Sequence, residues 1–306
     1  MPMPVTIPMP DDGGDIAACL RQVTAAGRHL DNALPARQLL PAARQTLRLA
    51  AQLDTGDGPR RDLSAAHSEA RSFLAWLSWD AGDVTAARDH YGQAIQTARD
   101  SGHQLLHAYQ LGSLAQFEAR LGYSAAAITA ADRTRRALGP DAPAVAHAWT
   151  AATEALAHAA AGDATMADEA LARSRDASVR IPEDTPVPWP WLGPFDHHKV
   201  AAARISCGAL LGRPGWVTGA VADVPAALST PHVRQRALLT LDLAAGLLAA
   251  GDVDTAFTAA SEALRVGAET ESHRLIHGAV ALRGRYTGAR PPRCVVAFDE
   301  QLAAVL

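Results

Sequence analysis

A short turn motif recurs along the chain and constrains its fold more than any other feature. A Gly preceded by Ala or Leu stands in the same local context at Gly82, Gly122, Gly162, Gly212 and Gly251. The successive separations are 40, 40, 50 and 39 residues. In three copies Asp follows the Gly, and Ala-rich segments flank the motif on both sides. Self-similarity at a fixed period of this length is typical of repeat proteins.

Each motif predicts two helices joined by a very short turn. Gly adopts the left-handed conformation that ends a helix, and Asp accepts hydrogen bonds from the first amides of the next helix. Small residues, which let antiparallel helices approach closely, stand seven before and five after the Gly: Ala75, Ala115, Ala155 and Ala244, then Ala87, Ala127, Ala167 and Ala256. We predict hairpins at about 66–100, 103–138, 143–178, 196–228 and 234–267.

Segments outside the hairpins complete the predicted array. We expect a disordered Pro-rich tail over 1–14 and helices near 15–31 and 36–53. A Pro-rich insertion over 181–194 explains the longer spacing, because its Pro residues exclude a helix. A helix near 270–284 and an apolar end near 297–306 form a predicted cap over 270–306. Residues 15–306 would then form a single repeat domain, in which hairpin four fits least well because Pro214 stands where its second helix should begin.

The composition argues against several classes of protein. The chain is 48% hydrophobic with only 5% aromatic residues, and its abundant Ala favours packed helices over sheets. A net charge of −4 argues against nucleic acid as a direct partner. Cys19, Cys207 and Cys294 are too widely spaced for a CxxC site, and we expect a cytoplasmic protein. The most apolar stretch, 237–250, is too short to span a bilayer, so we expect no membrane partner.

The order of small residues and turn Gly resembles the tetratricopeptide repeat (TPR), although the period exceeds the usual one of about 34 residues. The resemblance implies an all-α, TPR-like right-handed helical-hairpin solenoid of about five hairpins plus flanking helices. In such a solenoid the first helix of each hairpin lines a concave groove.

Three stretches carry a second resemblance: FLAWLSWDAG at 73–82, AYQLGSL at 108–114 and WPWLGPFD at 189–196. With them, the chain from Asp15 to Leu306 resembles the C-terminal effector region of Xre-type helix-turn-helix transcriptional regulators of high-GC bacteria. Members of that family carry a DNA-binding domain ahead of this region, where the present sequence has its Pro-rich tail. We expect the chain to work without touching DNA, or the DNA-reading part to belong to another polypeptide or to a longer protein. The resemblance implies a sensing or docking role.

Aromatic and polar residues that map onto the predicted inner face are the candidate ligand contacts. They are Trp76, Trp79, Tyr109, Gln116 and Trp149. Aromatic side chains are enriched at binding hot spots, although a stripe of this kind also forms helix cores. Trp189, Trp191, His197 and His198 extend the set. The insertion that holds the two Trp residues is either a strap across the outside of the solenoid or a lip over the groove.

No sequence pattern identifies catalytic residues, a cofactor or a metal site. His67, His107, His147 and His197 each precede a turn Gly by 15 residues, on the side of the helix that packs. The HxxxH pairs His103/His107 and His273/His277 lack a third ligand. The arginines between 274 and 293 are interpreted as part of a solvated terminal helix.

The sequence therefore favours a non-catalytic binding module with a role in transcriptional or pathway regulation. Its guest would be a peptide, a partner protein or a small-molecule effector held in the groove, and a homodimer stays an open alternative. The competing hypothesis is an enzyme or enzyme-accessory protein with a helical cavity near residues 189–199. In that case histidines would perform acid–base work on a metabolite.

Overall fold

The computed structural model describes residues 13–53, 61–182, 195–220, 223–229 and 232–306. Within these ranges all regular secondary structure is helical, which confirms the prediction of an all-α helical-hairpin solenoid. None of the helices in this part of the chain has both the length and the apolarity needed to cross a lipid bilayer.

Helices α1 and α2 precede the repeats and span Gly13–Leu30 and Ala36–Leu53. The first three hairpins pair α3 (Arg61–Asp80) with α4 (Val84–Asp100), α5 (Gln104–Arg120) with α6 (Ser124–Leu138), and α7 (Ala144–Ala160) with α8 (Ala164–Ser178). Helix α9 (His197–Leu211) is followed by the short helices α10 (Pro214–Thr218) and α11 (Val224–Ala227). The chain ends with α12 (Val233–Ala249), α13 (Val253–Glu269), α14 (His273–Gly284) and α15 (Arg293–Ala303).

The turns between paired helices have the predicted chemistry. Gly162 adopts φ +79°, a left-handed conformation that a side chain would strain, and the other four marker glycines also have positive φ. Asp83, Asp163 and Asp252 each accept a hydrogen bond from the backbone amide three residues further on. Each Asp therefore satisfies an amide that would otherwise lack a partner at the start of the second helix.

The matched Ala residues lie at the helix crossings. All eight of them are fully buried. Because methyl side chains occupy these crossings, the paired helices come close together, and larger side chains such as Phe117 and Phe257 fill the layers between hairpins. The Ala-rich composition therefore allows the paired helices to pack tightly.

Several element boundaries differ from those expected. Helix α3 begins at Arg61 rather than near 66, and α15 begins at Arg293, directly after Pro292, rather than near 297. The second helix of hairpin four is split into α10 and α11, with Pro214 in the first turn of α10. Helix α1 starts inside the predicted tail, at Gly13, while residues 1–12 lie outside the described residues.

The first helices of successive hairpins follow one another along the inside of the solenoid. They are α3, α5, α7, α9 and α12, and α14 continues the series. The array curves so far that α14 packs against α3, which brings the two ends of the solenoid into contact. This contact bears on whether the inner face of the solenoid is open to a ligand.

Candidate functional site

The predicted groove residues Tyr109 and Trp149 are packed against each other. Their rings stack with centroids 5.4 Å apart, and only 9% and 6% of these residues is exposed. Trp149 also lies against Gly112, where an added Cβ atom would come within 2.4 Å of the indole ring. The expectation that these two aromatics stand exposed in a groove is therefore wrong, because Gly112 lets the indole fill the space between α5 and α7.

The other inner candidates are engaged within the chain as well. Gln116 is half-buried and donates a hydrogen bond to Thr153 Oγ1 at 2.9 Å. Trp76 and Trp79 are half-buried and meet edge to face with ring centroids 5.9 Å apart. Trp76 Nε1 donates to Asp31 Oδ2 at 2.9 Å. These side chains connect helices of the chain to one another.

A buried set of charges joins the two ends of the solenoid, and we call Asp31, Asp80, Arg234, Ser272 and Arg274 the closure cluster. Asp80 is 0% exposed and accepts hydrogen bonds at Oδ1 from Arg274 Nε at 2.8 Å and Ser272 Oγ at 2.6 Å. Arg234 Nη1 lies 3.1 Å from Asp80 Oδ2. Arg234 also binds the side chain and backbone carbonyl of Asp31. The cluster thus ties residues about 200 positions apart.

The Arg274 guanidinium lies against the two inner tryptophans. It stands 3.9 Å from the ring centroid of Trp76 and 4.6 Å from that of Trp79. A cation over an aromatic face is stabilised by the ring quadrupole, and more strongly when both are removed from water. Arg274 is buried and not part of a solvated terminal helix as predicted. In the same stretch, Arg283 pairs with Asp299.

A second bridge crosses the inside of the solenoid. Arg120 Nη1 on α5 lies 2.9 Å from Asp242 on α12, and Arg120 Nη2 donates to Ser206 on α9 at 2.9 Å. No residue over 63–80, 105–119 or 144–160, which covers most of α3, α5 and α7, is exposed. The inner face of these helices is filled by the chain's own side chains, so it offers no open trough there.

The remaining predicted residues lie at the start of α9 or beyond the described residues. Asp196 caps α9 by accepting from the His198 and Lys199 amides, and the His197 and His198 rings are 3.8 Å apart. His198 Nδ1 lies 3.7 Å from Asp223 Oδ1. One ligand atom from each of His197, His198 and Asp223 lies within 4.8 Å of the others, a set that could hold a cation. Trp189 and Trp191 lie outside the described residues.

A cleft that the sequence reasoning missed opens where the ends of three helices meet. It lies between the last turns of α6 and α8 and the first turns of α7, and its volume is about 810 Å³. We call it the arginine cleft after the basic residues in its lining. Its polar lining includes Arg135, Arg136, His147, Thr150, Arg173 and Arg180.

The arginines of the cleft are only partly paired. Arg135 and Arg136 bind Asp132 at 2.8 and 2.6 Å, and these hydrogen bonds lower the pKa of the Asp132 carboxyl. Arg173 Nη2 lies 3.0 Å from Glu154, a carboxylate that is itself largely buried. Arg180 makes no side-chain hydrogen bond or ion pair with any residue that the structure describes. Each guanidinium has five N–H donors, so most of the donors stay available.

The floor of the cleft contains a polar group with nothing to bind. Thr150 is 4% exposed, and its Oγ1 has no hydrogen-bond partner among the described residues. Nearby, α7 begins after Pro143, whose side chain gives no capping hydrogen bond. The Thr150 Oγ1 atom is itself closed to solvent. The Ala146 and His147 amides donate to the Pro143 carbonyl, so the first-turn amides without an acceptor among the described residues are those of Ala144 and Val145.

The repeat gives only a partial signal for this cleft. Arg133 and Arg173 are separated by 40 residues, as are Arg135 and Arg175, so basic residues recur at two repeat positions on α6 and α8, but only Arg135 and Arg173 of these line the cleft. Helices α6 and α8 both pack against α7, which places their last turns beside the start of α7. The aromatic residues of the first helices gave no indication of this cleft.

Comparison of the chain with models of known families and with curated proteins finds no match. The resemblance to effector regions of Xre-type regulators stays a prediction.

Proposed function

We propose that this chain is a non-catalytic, TPR-like binding module that serves transcriptional or pathway regulation in the cytoplasm and holds its guest in the arginine cleft. One observation supports the proposal above the others. The cleft is open and about 810 Å³ in volume, within the range of roughly 300–1,000 Å³ that ligand sites occupy, and most guanidinium donors in its wall have no acceptor among the described residues.

The closed interior supports the same proposal. With α3, α5 and α7 filled on their inner side, a guest of any size needs another surface. The closure cluster also fixes the two ends of the solenoid against each other, which restrains the hairpins that form the cleft. A site held in its bound geometry before the guest arrives loses less entropy on binding.

A thermal-stability screen tests where the guest binds. The wild-type chain and a double variant, Arg136→Ala with Arg180→Ala, are incubated with a library of charged metabolites and short peptides, and melting temperatures are compared. We expect ligands that stabilise the wild type and the inner-face variant Gln116→Ala but not the double variant. Ligands that stabilise the double variant as strongly as the wild type, while losing their effect in Gln116→Ala, would contradict the proposal.

The second candidate function is an enzyme or enzyme-accessory protein that acts at the start of α9. The observation that favours it is the approach of His197, His198 and Asp223 to one another. Two imidazoles and a carboxylate are a ligand set for zinc and related metals. Titration with Zn²⁺ and Co²⁺ of the wild type and of His198→Ala tests it; equal metal uptake by the two proteins would remove this candidate.

A further inference from the structure

We propose that the guest of the arginine cleft is a small phosphorylated molecule whose phosphate group binds at the first turn of α7. This inference rests on the proposed function and adds the chemistry of the ligand. Three kinds of observation in the cleft carry it: the arginines that two helices contribute to its lining, the unpartnered hydroxyl of Thr150, and its apolar wall.

The guanidinium groups favour an anion with several acceptor oxygens. Arg135 and Arg136 come from the end of α6, while Arg173 and Arg180 come from α8 and the turn after it. A single guanidinium satisfies a planar carboxylate, whereas a tetrahedral phosphate accepts hydrogen bonds from several directions at once. Guanidinium donors that two helices contribute to one cleft therefore suit a phosphate better than a carboxylate.

The net charge of the lining also favours an anionic ligand. Among the described residues, Arg135, Arg136, Arg173 and Arg180 face two lining carboxylates, Glu154 and Asp176, which leaves a surplus of two positive charges without His147. Asp132 and Arg175, which pair with lining residues from outside the lining, cancel each other in this count. Glu154 already accepts from Arg173, and Asp176 lies beside Arg175, which is outside the lining. The exposed guanidinium of Arg180 has no described partner and is the group most ready to bind an incoming anion.

The floor supplies a second, independent observation. Thr150 Oγ1 is buried without a hydrogen-bond partner, in a lining that also includes Ala144 at the start of α7. The N-terminus of a helix carries partial positive charge and unpaired amides, which together favour phosphate. The Oγ1 atom is closed to solvent in this structure, so the lining must shift slightly before a phosphate oxygen accepts from the Thr150 hydroxyl, and that hydrogen bond then removes the cost of leaving the hydroxyl unpaired.

The rest of the lining fits an organic body rather than a bare ion. Leu138, Ala142, Ala144, Ala151 and Ala177 present aliphatic surface in the same cleft. A volume of about 810 Å³ far exceeds what one phosphate needs and accommodates a molecule of nucleotide size. The ligand class is therefore a phosphate ester with an apolar or ring-containing body.

Isothermal titration at low ionic strength tests the inference with four probes: inorganic phosphate, AMP, adenosine and a tetraglutamate peptide. We expect AMP to bind, inorganic phosphate to bind more weakly because it lacks the organic body, and adenosine not to bind. The AMP affinity should fall as NaCl is raised, because salt screens the interaction between exposed charges.

Matched variants locate the binding. Arg180→Ala should weaken AMP binding about tenfold, which corresponds to the loss of one charge-assisted contact of about 1.4 kcal/mol. Arg175→Ala is the control, because Arg175 lies on the same helix but outside the lining. Thr150→Val should weaken binding while Thr150→Ser, which keeps the hydroxyl, should restore it.

The outcomes separate this inference from the proposed function. Binding of the tetraglutamate peptide that depends on Arg180, without binding of AMP or phosphate, would overturn the phosphate assignment and leave the cleft as the binding site. AMP binding that is equally weakened by Arg175→Ala and Arg180→Ala would overturn both. Absence of binding by AMP and phosphate at millimolar concentration would overturn the inference.

Discussion

The closure cluster and the arginine cleft use the same side chains and differ in how their charges are balanced. In the closure cluster two arginines meet two aspartates, all of them buried, and Ser272 and two tryptophans complete the surroundings. In the arginine cleft four arginines meet two lining carboxylates at an open surface. The first arrangement leaves little to offer a guest, while the second keeps donors in reach of one.

The difference follows from the cost of burying charge. An ion removed from water is strongly unfavourable unless an opposite charge lies beside it, so a buried cluster has to be neutral. The closure cluster is neutral, although Asp80 Oδ2 and Arg274 Nη2 make no hydrogen bond with the described residues. At an open surface water solvates the surplus charge, and the surplus can persist until an anion replaces that water. Arginine content alone therefore does not distinguish a structural cluster from a binding site in this chain.

The largest effect expected from the comparison comes from breaking the closure cluster. Asp80→Ala leaves the guanidiniums of Arg234 and Arg274 buried without their shared carboxylate, and we expect the free energy of unfolding to fall by about 3–5 kcal/mol. Urea denaturation followed by circular dichroism measures it. Asp176→Ala, which removes an exposed carboxylate from the cleft, should change stability by less than about 0.5 kcal/mol. Equal losses in the two variants would erase the distinction between the regions.

A smaller loss is expected from the aromatic side of the cluster. Trp76→Phe keeps an aromatic face beside Arg274 but removes the N–H that donates to Asp31, which should cost about 1.5 kcal/mol. Trp216→Phe serves as the control, because Trp216 also lies beside an arginine but makes no indole hydrogen bond with the described residues. The same urea titration compares them, and a Trp76→Phe variant as stable as the wild type would show that the hydrogen bond contributes nothing.

A substitution in the arginine cleft should raise the free energy of unfolding instead of lowering it. Thr150→Val replaces an unpartnered buried hydroxyl by a methyl group of similar shape, so without ligand we expect a gain of about 1 kcal/mol in unfolding free energy. In the wild type the Thr134 hydroxyl donates to the Ala130 carbonyl at 2.8 Å. Thr134→Val removes this hydrogen bond, so no gain in stability is expected. Scanning calorimetry compares the stabilities of the wild type, Thr150→Val and Thr134→Val. A loss of stability in Thr150→Val would mean that this hydroxyl has a partner in the protein alone.

The smallest effect concerns pH and belongs to neither region. Burial, followed by the nearby charges of Arg133 and Arg99, lowers the pKa of His107 below its usual value of 6.5. The unfolded chain then binds the proton more readily than the folded one, so stability is present above the unfolded pKa and declines as pH falls below it. Urea titrations at several pH values should show a shallower decline in His107→Gln than in the wild type. Identical slopes would contradict the assignment.

Local signals in the sequence were enough to predict the hairpins. A turn Gly, an Asp cap and paired Ala residues act over a few neighbours, and each of them is visible in the chain without knowledge of its tertiary structure. The closure of the solenoid depends on the sum of small rotations between hairpins, which no local pattern encodes. No local sequence pattern around Asp80 or Arg234 indicates a partner about 200 residues away.

The candidate site was likewise only partly predictable from local sequence signals. Trp149 and Tyr109 were correctly placed on first helices, but their exposure depended on Gly112 and on how far neighbouring helices approach. The arginine cleft was only partly visible in the repeat, because Arg173 lines it while its repeat equivalent Arg133 does not. The unpartnered state of Thr150 was not, since a hydroxyl in a helix usually bonds within its own turn.

Amide hydrogen exchange with and without AMP shows whether the guest binds at the arginine cleft or along the inner helices. We expect AMP to slow exchange in peptides covering 135–151 and 173–180, with the first-turn amides of α7 among the most protected. Peptides covering 63–80 and 105–119 should exchange slowly in both states and stay unchanged. Protection by AMP that is confined to these inner segments would contradict the account.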